Sequence, residues 1–249
     1  MMNAFHTELK KARRRFDLPV TILISLLVMI WAMQSAPHTE DDLASGYSAL
    51  YYAIPLMNTA VMPLGMMVLA SRIWDAETKG ACCKLLFTLQ SRESLFYSKV
   101  VLGVLENAVV CLIECGGILL LGKMRGYTET LDPAQFLWLC VCTFTVNTML
   151  YFGGLFLSIR FSNQTAVMAV GIIGSLSGLF AAFLPKTVSY FLPWGYYVPL
   201  TGMQMNWDFD TRTGWYEPVA FRFWLLELTL LLAVLFGTRG WKALRKKEV

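Results

Sequence analysis

The chain reads as an all-α polytopic membrane protein, one domain of six transmembrane helices over residues 1–249, and three observations predict this. Composition is 56% hydrophobic, with a mean hydropathy of +0.53. Charged residues make up only 15% and are gathered into short blocks, which ordinary globular domains do not do. Six apolar stretches approach the roughly 20 residues that a helix needs to cross hydrocarbon: 18–36, 47–70, 100–121, 134–159, 165–184 and 223–237, the last being the shortest.

Orientation follows from Lys and Arg. With both termini cytosolic, 16 of these residues lie inside and five outside, the asymmetry that sets topology. The net charge of +4 therefore reports membrane orientation and calls for no nucleic acid, although the basic ends also suit anionic lipid headgroups. Cys82 and Cys83 fall on the cytosolic side, Cys111, Cys115, Cys140 and Cys142 within spans, and none in outer loops. No disulfide framework is implied. With His6 and His38 the only histidines, no metal site of ordinary spacing is expected. Basic residues before the first span resemble a secretory signal, but five further spans favour a retained anchor.

In chain order, residues 1–17 form a basic amphipathic segment. Phe5, Leu9 and Phe16 would rest on the membrane while Lys10, Lys11 and Arg13 to Arg15 face phosphates; the alternative is a plain topology signal. The acidic Glu40–Asp42 loop reads as a solvated turn or an attractor of cations. Pro55, Asn58 and Pro63 should kink the second span, a break tolerated in lipid where neighbours supply hydrogen-bond partners.

The segment 71–99 is the most patterned polar stretch. Cys82, Leu85, Leu86 and Leu89 fall at i, i+3, i+4, i+7, one face of a helix, while Lys79, Lys84 and Thr88 point elsewhere. Ser91 is placed to cap the helix that follows. The reading is a short amphipathic helix at the membrane surface; the alternative is a solvated loop.

Carboxylates and amides recur at membrane depth: Asn58, Glu106, Asn107, Glu114, Asn147 and Glu227. Such groups normally face the protein interior or a watery cavity. They would bind a cationic substrate group, carry protons, or simply pack through hydrogen bonds. In the fifth span Gly171 with Ser175, and Gly174 with Gly178, make small-residue pairs for close helix contact, either within the chain or with a second subunit. Residues 185–222 form the longest outer segment, dense in aromatic residues. It is expected to fold back as interfacial helices, with Trp194, Tyr196, Tyr197, Trp207 and Trp215 serving as a gate or ligand surface, or as an aromatic belt.

Gly117 to Lys123 matches the opening of a phosphate loop, but Met124 stands where Ser or Thr should hold magnesium, and the match lies in an apolar helix. No catalytic motif appears, so no catalytic residue, cofactor or metal ligand is assigned to this chain.

Six spans, both ends inside, an amphipathic basic start, the Asp75-Ala-Glu77-Thr-Lys79-Gly80 turn leading to Lys84-Leu-Leu-Phe-Thr-Leu-Gln-Ser-Arg92 and closing at Ser98-Lys99, and an aromatic segment before the last span together resemble the permease subunits of ABC-2 type transporters. Within that group the chain looks most like the lantibiotic-protection permeases of Gram-positive bacteria. The resemblance implies a multi-pass subunit of the bacterial cytoplasmic membrane without enzymatic activity of its own. ATP and magnesium would sit on a separate ABC ATP-binding partner, and a second permease, commonly a different chain, would complete the pair.

The same resemblance implies that Asp75, Glu77, Lys79, Lys84 and Arg92 set the register of ATPase contact while Leu85, Leu86 and Leu89 anchor it. Charge reversal at Glu77 together with Lys84 would uncouple ATP hydrolysis from protection. The implied cargo is an amphipathic, often cationic antimicrobial peptide. The alternatives are an ABC-2 exporter of a drug, lipid or bacteriocin, an ion-coupled secondary transporter, and a membrane scaffold or sensor.

Overall fold

The computed structural model of the protein describes residues 2–34, 41–78, 87–88, 90–161, 163–208 and 214–247. A surface helix, α1 (Met2–Arg15), precedes six helices long and apolar enough to cross a membrane: α2 (Asp17–Gln34), α3 (Gly46–Thr78), α4 (Arg92–Arg125), α5 (Pro133–Arg160), α6 (Gln164–Phe183) and α7 (Phe223–Arg245). Between α1 and α2 stands Phe16, whose φ of 58° is left-handed backbone that a helix cannot continue through. The chain therefore turns sharply there.

The helices alternate in direction, so α1, the adjoining ends of α3 and α4 and of α5 and α6, and the end of α7 gather at one end of the bundle, the terminal end. The bundle is organised around α3 and α5. Of their apolar windows 72% and 67% are buried, against 33% for α2, α4 and α6 and 22% for α7. Leu50, Ile54, Met62, Met149, Tyr151 and Leu155 of the central pair are sealed in the core. The outer helices expose leucines, isoleucines and phenylalanines such as Leu112, Ile173, Phe180 and Leu231, as surfaces solvated by lipid chains do.

α3 runs unbroken through Pro55 and Pro63, and each break finds a partner from elsewhere. Pro55 cannot donate to the Tyr51 carbonyl; the Thr201 hydroxyl donates to it instead, at 2.8 Å. Beside Pro63 the Leu64 amide donates to Ser175 Oγ of α6 at 3.2 Å. Helix ends follow the sequence signals. Ser91 caps α4 by accepting from the Ser94 amide at 3.3 Å, Asp132 and Asn163 do the same for α5 and α6, and Gly126, at φ 70°, ends α4 in left-handed backbone.

Three expectations are corrected. The charged helix ends extend the second, third and sixth spans beyond their apolar cores, because ion pairs and caps continue the helices where hydropathy stops. Residues 185–222 fold only in part as short helical turns, Lys186–Ser189, Pro193–Gly195 and Tyr197–Leu200; the rest includes an antiparallel hairpin of β1 (Met203–Trp207) and β2 (Gly214–Pro218), with Trp207 opposite Gly214. Aromatic density suits a pleated strand as well as an interfacial helix, and the alternation in Met203-Gln-Met-Asn-Trp207 decides for the strand. Finally, Cys115 of α4 and Cys140 of α5 form a disulfide. The short α4–α5 connection makes the two helices antiparallel neighbours and sets these residues opposite one another, a juxtaposition that spacing along the chain did not reveal.

Candidate functional site

At the terminal end the last turns of α3 are enclosed by charge. Lys99 of α4 is fully buried, and its ammonium donates to Glu77 Oε1 at 2.9 Å, to the Ile73 carbonyl at 3.0 Å and to Glu8 Oε2 of α1 at 3.3 Å. Lys11 of α1 closes the group, donating to Glu77 Oε1 at 2.7 Å and Glu8 Oε1 at 2.8 Å. Burial works against the charged form of Lys11, but its hydrogen bonds to Glu77 and Glu8 outweigh this and raise its pKa above the ordinary value. Two carboxylates thus meet two ammoniums. Such an arrangement is stable while complete and costly once a partner is removed.

A second knot lies one turn away. Asp17, fully buried at the start of α2, accepts from Arg15 Nε at 2.7 Å and from Arg72 Nε of α3 at 3.4 Å. Arg72 also donates to the Arg15 carbonyl. The indole of Trp74 lies between two cations, Lys99 at 5.9 Å and Lys247 at 5.2 Å from its ring centre. Lys247 also donates to the Ile159 carbonyl at the end of α5, at 3.2 Å. The end of α3 is therefore fastened to α1, α2, α4 and the chain's last turn at once.

This geometry reassigns some of the expected coupling residues. Glu77 is buried among cations of its own chain, so a substitution there acts on the fold. Lys11, expected at lipid phosphates, is likewise turned inward, whereas Lys10, Arg13 and Arg14 are exposed. Arg92 opens α4, stacks over Phe87 at 4.9 Å and donates to the Arg245 carbonyl at 2.6 Å. Asp75 accepts from the Thr78 hydroxyl at 3.3 Å on the rim of a crevice shared with Trp74 and Gln164. Lys79, Lys84, Leu85, Leu86 and Leu89 lie outside the described residues. Sequence reasoning missed Glu8 and Asp17, each of which has one partner far off in the chain, Lys99 and Arg72 respectively.

Most of the intramembrane polar residues make hydrogen bonds inside the bundle. Glu106 accepts from Thr21 of α2, Glu114 from Asn58 at 3.0 Å, and Asn107 donates to the Phe144 carbonyl and to Thr148, each at 2.8 Å. Asn147 accepts from the Tyr197 hydroxyl. Burial first, with Glu114 and Cys111 adding to it, pushes the Tyr197 phenol well above its ordinary range, which keeps it a neutral donor. Glu227 departs from the expected pattern: it is exposed, one turn into α7. A helix end at headgroup depth tolerates a charge that the bilayer centre does not.

The opposite end is assembled from aromatic rings and backbone acceptors. Trp138 Nε1 donates to the Leu200 carbonyl at 2.6 Å and Gln135 Nε2 to that of Gly202 at 3.0 Å, while Glu129 accepts from the Tyr47 and Ser48 amides at the start of α3. The small-residue face of α6 is filled from within the chain. Gly174 and Gly178 receive Trp194 and its backbone, and Gly171 receives Leu64 and Met67 of α3, so close that a Cβ at Gly174 would overlap the indole. Tyr196 and Tyr197 are buried. Trp194 is half-buried, and of the five aromatic gate candidates Trp207, 48% exposed, and Trp215, 44% exposed, present the most open surface. Gly122, part of the phosphate-loop match, is packed against Tyr47 inside α4.

Six apolar helices, four of them around a buried central pair, with ionic packing at one end and an aromatic cover at the other, define a multi-pass membrane protein. The description "ABC-2 family transporter protein" matches residues 4–184, well over half of the chain, and the chain belongs to that family. It is thus a membrane ABC transporter permease, for which the family implies an ABC ATP-binding partner. No curated protein is similar enough to serve as a relative. The matched region contains both ionic knots and ends before the aromatic segment.

Proposed function

We propose that this permease expels amphipathic, often cationic antimicrobial peptides from the membrane, driven by a separate ATPase that docks on the segment between α3 and α4. In this reading both termini are cytosolic, Lys79 to Leu89 form the docking helix, and a second permease completes the transporter in the cell membrane of a Gram-positive bacterium. The observation that carries the coupling is the fastening of α3. The helix leading into the docking segment is bound at its last turns to α1, α2 and α4 by buried ion pairs, so force applied to the segment moves several helices together instead of bending a loop.

For the cargo, the hairpin end offers suitable chemistry. Trp207 and Trp215 are exposed, with the Glu217 carboxylate accepting from the Trp215 indole at 2.8 Å and from Asn206 at 2.8 Å. Aromatic faces beside a carboxylate fit an amphipathic cation. A test places cysteine at Lys84 in membranes that also contain the ATPase. Crosslinking to a nucleotide hydrolase is expected, as is loss of peptide resistance in Asp75→Arg/Lys84→Glu with the protein still membrane-inserted. Crosslinks that never reach an ATPase would remove the docking role. Full resistance without either permease or ATPase would remove the peptide cargo.

A further inference from the structure

Between the ends of α5 and α7 lies a groove of about 590 Å³ whose walls carry Arg160, Arg239, Lys242 and Lys246 over an apolar floor that includes Phe156 and Ile159. Among the described residues no carboxylate lines it, and these four cations make no ion pair or side-chain hydrogen bond. Like charges at i, i+4 such as Lys242 and Lys246 repel. Their convergence with Arg160 and Arg239 calls for an anion from outside the chain.

The pattern of α7 says what kind. Arg239, Lys242 and Lys246 continue, in steps of three and four residues, a ridge begun by Leu231 and Leu235, which are 66% and 45% exposed. One helix face thus passes from lipid-solvated leucines to unpaired cations at the depth where the span's apolar part ends. An acidic protein surface would satisfy the cations but has no access to Leu231 within the bilayer. A phospholipid satisfies both.

We propose that this groove is a specific site for an anionic glycerophospholipid of the leaflet on the side of the chain termini. Its phosphate accepts hydrogen bonds from Arg160, Arg239, Lys242 and Lys246, and its acyl chain lies along Leu235 and Leu231. Basic pockets between membrane helices recognise such headgroups by this combination of charge and apolar contact. The site adjoins two contacts of the terminal end, Lys247 with Ile159 and Arg245 with Arg92, so the bound lipid braces α5 against α7 there. The inference is independent of the cargo.

The test is native mass spectrometry of the delipidated full-length chain titrated with phosphatidylglycerol or with phosphatidylcholine. One tightly held phosphatidylglycerol is expected, preferred over phosphatidylcholine by at least tenfold, with affinity falling about fivefold for each cation neutralised. Arg160→Gln/Arg239→Gln/Lys242→Gln/Lys246→Gln should abolish the preference, and the exposed pair Lys242→Gln/Lys246→Gln, which leaves the floor untouched, should weaken it by an intermediate amount. Lys123→Gln/Arg125→Gln at the opposite end should retain it. No preference in the wild type, or an undiminished preference in the milder pair, overturns the site. A pair variant that keeps the lipid and instead loses the ATPase on co-purification would make the groove a protein-docking surface.

Discussion

The two ends of the bundle are fastened by different chemistry. At the terminal end Lys99, Lys11, Glu77 and Glu8 bind helices through buried charge; at the other, Thr201, Trp138 and Gln135 reach backbone carbonyls and Trp194 fills a glycine face. Buried charge is unforgiving, since it tolerates neither loss of a partner nor large displacement. Neutral hydrogen bonds and ring contacts can be exchanged for others at modest cost. The difference is that charge fixes the terminal end, while the hairpin end, apart from the Glu129 carboxylate and the Cys115–Cys140 disulfide on the same side of the bundle, is held by contacts that exchange at lower cost.

The largest expected effect comes from removing the central cation. Lys99→Met leaves the buried Glu8 and Glu77 sharing Lys11 and should destabilise the protein by about 3–5 kcal/mol, read as a lower unfolding temperature in detergent. Combining it with Glu77→Gln should recover part of the loss. An unfolding temperature unchanged in Lys99→Met would mean that the ion group is not structural.

At the hairpin end Gly174→Leu, which must displace Trp194, should cost about 1–3 kcal/mol and shift tryptophan emission toward that of a more solvated indole. A smaller effect on stability, within about 0.5 kcal/mol, is expected for Trp207→Ala and Trp215→Ala, together with reduced peptide resistance. Should both variants unfold early, these rings are packing groups and the comparison between ends weakens.

The smallest effect concerns Lys11. Because its folded pKa is raised, its stabilisation is fully present below the ordinary lysine value of 10.5 and is lost as pH rises through the higher folded value. Unfolding temperatures of wild type and Lys11→Gln should therefore differ by a constant amount below pH 10.5 and converge as pH rises from there through the folded value.

The sequence disclosed what is local. Apolar length located every span, Ser91 was legible as a cap because its hydroxyl serves an amide three residues on, and Pro55 and Pro63 announced that α3 would need help from neighbours. What stayed hidden depends on pairs far apart in the chain. Lys99 meets Glu8 across 91 residues, Cys115 meets Cys140 only because α4 and α5 are antiparallel, and the glycines of α6 are covered by an indole that hydropathy assigned to the bilayer interface. Spacing rules describe one helix at a time, and these contacts belong to two.

Thr201 takes up the Tyr51 carbonyl that Pro55 leaves idle, while Lys99 holds the same helix 22 residues further along, at Ile73. α3 is thus gripped near both of its ends, and a molecule that loosens one grip alters the work needed to loosen the other. Thermodynamic linkage makes such a relation reciprocal. Whatever factor a ligand at one grip exerts on the binding of a ligand at the other, the second must return on the first.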